Sequence, residues 1–318
     1  MAAWLDTLRQ CFWIAKPAFT EQNLSDQTGR VFIVTGGYAG VGKELSKFLY
    51  QKNGTVYLAG RSKGKGDAAI EEIRKSVSSS DGHLEFLQLD LADLSTIKGS
   101  VEDFMRREQR LDVLTNNAGV MAPPVGSKSA QGYELQMGTN VLGPWLFTEL
   151  LTPLIQKTAK SSPPGSVRVT WAASLVTVVA PKDGVLFEGD APKAFNDRRA
   201  DYAQSKAANV LLARTYQAKY GKDGITSNAW NPGNLRSELQ RYQQGLEKWV
   251  TALLVYPPVL GAYTELFAGW SDEPAKPENK DKYIGPWGQF VTLRKDLQDT
   301  PQEQVLWEWC ENECRQYM

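Results

Sequence analysis

The stretch that most restricts what this chain can become is Thr35-Gly36-Gly37-Tyr38-Ala39-Gly40-Val41-Gly42. It follows the apolar run Val31-Phe32-Ile33-Val34 and opens the helix-patterned Lys43-Glu44-Leu45-Ser46-Lys47-Phe48-Leu49. A buried strand, a glycine turn and a helix start, in that order, make a phosphate site. Glycines let the main chain approach a pyrophosphate, and the free N–H groups of the helix start carry partial positive charge. The spacing, T-G-x-x-x-G-x-G, departs from the G-x-G-x-x-G of other dinucleotide-binding units.

Composition narrows the chemistry. Lys+Arg and Asp+Glu number 36 each in 318 residues, so no general field draws the chain to nucleic acid or an anionic membrane. Three dispersed cysteines, Cys11, Cys310 and Cys314, make no disulfide framework and no metal site. They fit a reducing, cytoplasmic setting, with the last two as packing residues. The only histidine, His83, reads as a surface residue away from every motif, which excludes a Ser-His-Asp triad.

Residues 1–28 read as an extension with Trp4, Leu5, Leu8, Phe12 and Trp13 at helical spacing. The segment is too short and too mixed for a spanning helix, which needs about 20 apolar residues, so no stable membrane insertion is expected. Further along, Thr55–Gly60 reads as a second strand, 67–79 as a helix and His83–Leu89 as a third strand. Leu111–Thr115 forms a fourth strand running into Asn116-Asn117-Ala118-Gly119, whose buried amides can tie neighbouring strands together. A long helix is expected over 132–157, bent by Pro144, and a fifth strand ends on Ser174. Tyr202-Ala203-Gln204-Ser205-Lys206 then opens a helix that presents phenol and ammonium on one face. A free phenol ionises near pH 10, and lowering that by about 3 units takes roughly 4 kcal/mol, which a nearby ammonium can help supply.

In order over residues 29 to 235, these motifs resemble the short-chain dehydrogenase/reductase family, most closely its retinol-dehydrogenase-like branch and the fungal relatives of that branch. The resemblance implies an α/β fold, a doubly wound parallel sheet (Rossmann) of about seven strands. Gly36, Tyr38, Ala39, Gly40, Val41 and Gly42 would face the dinucleotide. Gly60 stands where family members that use NAD carry a carboxylate, while Arg61, Ser62 and Lys65, with Lys63 in reserve, offer donors to a 2′-phosphate, so NADP(H) is the expected cofactor. Asp90 and Leu91 would lie beside the adenine, although Asp90 can also be read as a helix cap; Asp93 suits that role better. Asn117, Ala118 and Gly119 would line the nicotinamide ribose, and Pro232, Gly233 and Leu235 would turn over the carboxamide. The implied catalytic set is Asn140 holding a relay water, Ser174 orienting the substrate oxygen, Tyr202 as proton donor and Lys206 lowering its pKa.

The expected organisation is an extension over 1–28, one catalytic domain over 29–290 with a substrate lid near 234–262, and a terminal helix over 291–318. Leu239, Tyr242, Leu246, Trp249, Val250, Leu253, Leu254 and Tyr256 form an apolar stripe in that lid, which favours a bulky apolar substrate or is ordinary helix packing. The insertion between Ser174 and Tyr202 reads as a flap at the substrate mouth or a surface excursion. The activity implied is interconversion of a carbonyl and a secondary alcohol on a small molecule of secondary metabolism. A repurposed non-redox cyclase and a non-catalytic NADP sensor are the alternatives, both disfavoured by the intact tetrad. Helices 132–157 and 201–220 offer a homodimer seam unless the terminal extensions block it.

Overall fold

The computed structural model describes residues 10–11, 13–77, 79–235, 255–280 and 282–318. The elements run β1 (Val31–Thr35), α1 (Gly40–Gln51), β2 (Thr55–Gly60), α2 (Lys63–Ser76), β3 (His83–Gln88), α3 (Leu94–Arg107) and β4 (Val113–Asn116). Next comes α4, a composite of Leu135–Met137, a π-turn over Gly138–Leu142 and the α-helical Gly143–Lys160. It is followed by β5 (Val167–Ala172), the ribbon β6 (Phe187–Glu188) and β7 (Ala191–Pro192), and α5 (Arg198–Tyr220). The chain closes with β8 (Ile225–Trp230), α6 (Pro258–Trp270), β9 (Tyr283–Gly285), β10 (Gln289–Val291) and α7 (Gln302–Cys314).

The main sheet has the order β10-β9-β8-β5-β4-β1-β2-β3. From β3 to β9 every pairing is parallel, and only β10 runs antiparallel, at the edge. The buried strands read as near-continuous apolar runs, Val31 to Val34 being a case, as a sheet covered on both faces demands. Helices α3, α4 and α5 cover one face; α1, α2 and α6 cover the other. Asp112, 1% exposed, ties the approach to β4 to the start of β1: it accepts from Val31 N at 2.9 Å and pairs with Arg30 and Arg110.

Several boundaries differ from the sequence expectation for local reasons. The second helix starts at Lys63 instead of 67 because Ser62 caps it, accepting from Lys65 N. The fourth starts at Leu135, where the Glu134 carboxylate accepts from Gln136 N and Met137 N, and it continues past Pro153 to Lys160. As expected, Asp93 caps α3 and His83 lies on the surface.

Helix α7 lies across α4 and α5, the pair that offers a homodimer seam unless a terminal extension covers it. Trp307, 2% exposed, meets Trp145 edge-on at 5.5 Å and Tyr216 at 6.5 Å, and Arg214 of α5 pairs with Glu303 at 2.7 Å. Cys310 and Cys314 are fully buried in the same layer. A wholly buried large apolar side chain contributes about 1.5–3 kcal/mol, so this helix belongs to the core. The lid stripe from Leu239 to Leu254 and the amino-terminal Trp4, Leu5, Leu8 and Phe12 lie outside the described residues; Trp13 is exposed. Among the described residues no helix is long and apolar enough to cross a membrane.

Candidate active site

Strand order reverses between β1 and β4, and a crevice opens there at the carboxyl ends of the strands, as doubly wound sheets provide. Its walls come from successive strand ends: Thr35 to Val41 after β1, Ala59 to Arg61 at β2, Leu89 to Leu91 after β3 and Asn117 to Val120 after β4. Gly36 and Gly40 have φ of +67° and +53°, a region where any other side chain would be strained. A β-carbon on Gly42 would lie 2.6 Å from Asn117 Nδ2, so this glycine lets α1 meet the Asn-Asn-Ala-Gly turn instead of lining the crevice itself. Asn117 Nδ2 donates to Thr35 O at 2.7 Å and Ala118 N donates to Thr35 Oγ1 at 2.9 Å, which locks the two walls together.

At the far end, the Tyr38 ring covers Gly60. A β-carbon there would lie 2.3 Å from Tyr38 Cε1 and 2.8 Å from its hydroxyl oxygen. Arg61 lines the crevice and Asp90 reaches it while also accepting from Ala92 N. Ser62 and Lys65 do not form its wall; they build the first turn of α2. Pro232, Gly233 and Leu235 follow β8, where Asn231 Oδ1 accepts from Gly233 N, and they too stand outside that wall.

The expected tetrad converges beside the inner end of the crevice. A β-carbon on Gly119 would sit 2.9 Å from Asn140 Oδ1 and 3.4 Å from Lys206 Nζ, so crevice wall and amine are in contact range. Lys206 Nζ donates to Ala172 O at 2.9 Å and lies 5.7 Å from the Tyr202 ring centre. Ser174, two residues beyond β5, is the polar side chain that acts on the Tyr202 hydroxyl. Burial pushes Tyr202 up to about 12, with the Ser174 hydroxyl pulling the other way. Burial alone pushes Lys206 down to about 8.

Asn140 sits in the π-turn of α4. Its amide is fully used: Oδ1 accepts from Val120 N at 2.8 Å, while Nδ2 donates to Val120 O and Ser205 Oγ. The bend starts before Pro144, which has no N–H to give the carbonyl of Asn140 four residues back or that of Thr139 five back. The side chain ties the bulge to the Val120 loop and to α5.

Tyr283 of β9 escaped the sequence reading. Its buried hydroxyl donates to Ser174 O at 3.1 Å and holds the loop that carries Ser174. Arg294 also escaped it, donating to the carbonyls of Thr177, Ala180 and Pro181 along the start of the insertion. The insertion is anchored on its other side by Gln204, which accepts from Leu186 N and donates to Lys193 O. Neither tyrosine nor arginine carries a local motif; only the strand order brings them here.

Comparison with known proteins settles the family. A family model described as short chain dehydrogenase matches residues 30–167. A short-chain dehydrogenase/reductase of Phomopsis amygdali is 45% identical over 95% of this chain and 94% of its own length. The chain belongs to the short-chain dehydrogenase/reductase family. Within the family it is also similar to the short-chain dehydrogenase/reductase pkfC of Emericella nidulans, at 44% identity over 95% of this chain and 98% of that protein. An uncharacterized protein from Mycobacterium paratuberculosis has the same fold, with a TM-score of 0.69, 26% identity, and coverage of 93% of this chain and 97% of that one. Oxidoreductase chemistry with a nicotinamide dinucleotide is what this family performs, and the crevice of this short-chain dehydrogenase/reductase fits such a group. Its glycine cradle leaves room for a pyrophosphate at the start of α1.

Proposed function

We propose that this protein interconverts a carbonyl and a secondary alcohol on a bulky, largely apolar small molecule with NADP(H). The observation that carries the reading is the convergence of Ser174 and the Lys206 amine on the Tyr202 phenol, the amine 5.7 Å from its ring centre, beside the dinucleotide crevice. The NADP preference is supported by Arg61 in the crevice wall and by Gly60, whose place under the Tyr38 ring leaves no carboxylate for a ribose hydroxyl. The apolar substrate is supported by the sequence stripe from Leu239 to Tyr256.

When bound, the nicotinamide exchanges a hydride with the carbon of the reacting oxygen. The chain's own residues do the rest. Ser174 holds the substrate oxygen against Tyr202, and Tyr202 Oη gives up or takes its proton. Left alone in its buried setting the phenol resists ionisation, and the Lys206 ammonium is the neighbouring positive charge that offsets this. The π-turn carbonyls around Asn140 are left to hold the water that restores the proton.

The test follows NADPH absorbance with a panel of bulky ketones, for the parent and Tyr202→Phe. Removing a general acid costs 10²–10⁴-fold in rate, so the phenylalanine variant should lose at least about a hundredfold in kcat while still binding dinucleotide. Parental turnover by that variant overturns the mechanism; absence of reduction by the parent across the panel overturns the substrate class.

A further inference from the structure

Residues 120–122 follow the crevice-lining Asn117-Ala118-Gly119 and are gripped by both catalytic helices. Val120 has its N–H and its carbonyl taken by the Asn140 amide. Two residues later, Ala122 holds a left-handed backbone with φ of +47°, uncommon for a residue with a side chain. A closed ring of hydrogen bonds supports it. Ala122 N donates to Gln136 Oε1 at 2.9 Å, Gln136 Nε2 donates to Arg198 O at 3.2 Å, and Arg198 donates back to Ala122 O through Nε at 2.8 Å and through Nη2.

The positions of the two side chains matter as much as their bonds. Gln136 lies four residues before Asn140 on α4, and Arg198 lies four residues before Tyr202 on α5. Each is therefore about one turn upstream of a tetrad residue. We propose that Gln136 and Arg198 are positioning residues, a clamp that fixes the first turns of α4 and α5 against the Ala122 loop and so sets the spacing between Asn140 and Tyr202.

The physical case rests on rigidity and charge. Gln136 is 1% exposed, and both ends of its amide are used within the ring, so it cannot rotate without leaving a buried group unpaired. Arg198 places two N–H groups of one planar cation on a single carbonyl, a charge-assisted contact stronger than a neutral one. The dinucleotide side of the crevice has its own anchors, the bonds from Asn117 and Ala118 to Thr35. Loosening the clamp should thus disturb the proton-transfer geometry while leaving dinucleotide binding intact. A displacement of about 1 Å at reacting groups costs on the order of 10²-fold in rate.

This inference rests on the proposed roles of Asn140 and Tyr202, and the experiment separates the two. Arg198→Met, Gln136→Leu, the double variant and Arg198→Lys are compared with the parent and Tyr202→Phe for kcat, dinucleotide Kd and thermal midpoint. Expected are a kcat loss of roughly ten- to a hundredfold in each single variant, unchanged dinucleotide Kd, and a double variant little worse than either single one, since one ring is broken once. Arg198→Lys should recover part of the rate, because an ammonium can still donate to Ala122 O. Parental kcat in folded Arg198→Met, or losses in kcat, dinucleotide affinity and thermal midpoint that move together, overturn the clamp. If Arg198→Met does not fold, folded Gln136→Leu with normal dinucleotide Kd and parental kcat overturns it equally. An inactive Tyr202→Phe beside a fully active Arg198→Met defeats the clamp alone; an active Tyr202→Phe defeats the underlying reading.

Discussion

Replacing Gly60 by Asp tests how the adenosine end of the crevice chooses its cofactor. A β-carbon at this position would lie 2.3 Å from Tyr38 Cε1, far inside contact distance, so the new carboxylate can enter only if the phenol ring swings away. That motion forfeits the tilted contact between Tyr38 and Phe86, whose ring centres are 6.4 Å apart, worth about 0.5–1.5 kcal/mol. A carboxylate accepting from a ribose 2′-hydroxyl gains about 1.5–3 kcal/mol. The net gain for NADH in the single variant is then about 1 kcal/mol, roughly fivefold. NADPH should lose at least about tenfold, because the carboxylate faces a like-charged 2′-phosphate. With Tyr38→Ala in the background the ring no longer has to move, and the same Asp should gain a further 0.5–1.5 kcal/mol for NADH, about two- to tenfold. Initial rates of the four variants with each cofactor at fixed ketone give this coupling as a double-mutant cycle. Additive effects for NADH, or an equal gain with Tyr38 in place, would refute the idea that the tyrosine occupies the acid's position.

Two further outcomes can be checked. Arg61→Ala should cut the NADPH over NADH preference by roughly ten- to a hundredfold, read from kcat/KM with both cofactors, and an unchanged ratio counts against its role at the 2′-phosphate. Glu265, wholly buried on α6 with neither carboxylate oxygen partnered among the described residues, has its pKa raised well above the ordinary 4.5 by burial. The fold therefore favours the protonated acid: its contribution is full below about pH 4.5 and is lost as pH rises toward the raised value. Glu265→Gln should remove that slope, so that the variant gains on the parent between pH 5 and pH 8, and denaturation curves at pH 5 and pH 8 with equal parent-to-variant gaps would contradict it.

The parts of this protein that could be read from the chain alone are those in which one short segment does one job. The turn from Thr35 to Gly42, the Asn-Asn-Ala-Gly strand end and the Tyr202/Lys206 helix each combine local backbone needs with local chemistry, and the sheet order follows once they are recognised. What stayed hidden depends on residues distant in sequence. Tyr283 reaches Ser174 across 109 positions, Arg294 reaches Thr177 across 117, and the ring of Ala122, Gln136 and Arg198 joins three segments. No periodicity announces such contacts. Ser62 carries a second, local use: it stands before a helix and caps it by accepting from Lys65 N. The Asn140 amide is spent on Val120 and Ser205, a use that the bulge in α4 creates and that is invisible until the backbone is traced.

The last helix gives the arrangement one more consequence. Because α7 rests on α5 through Arg214 and Glu303 and fills the groove beside Trp145 with Trp307, the helix that bears Tyr202 and Lys206 is braced in cis by α7 of its own chain. A truncation within α7 would therefore act directly on the helix that positions Tyr202 and Lys206.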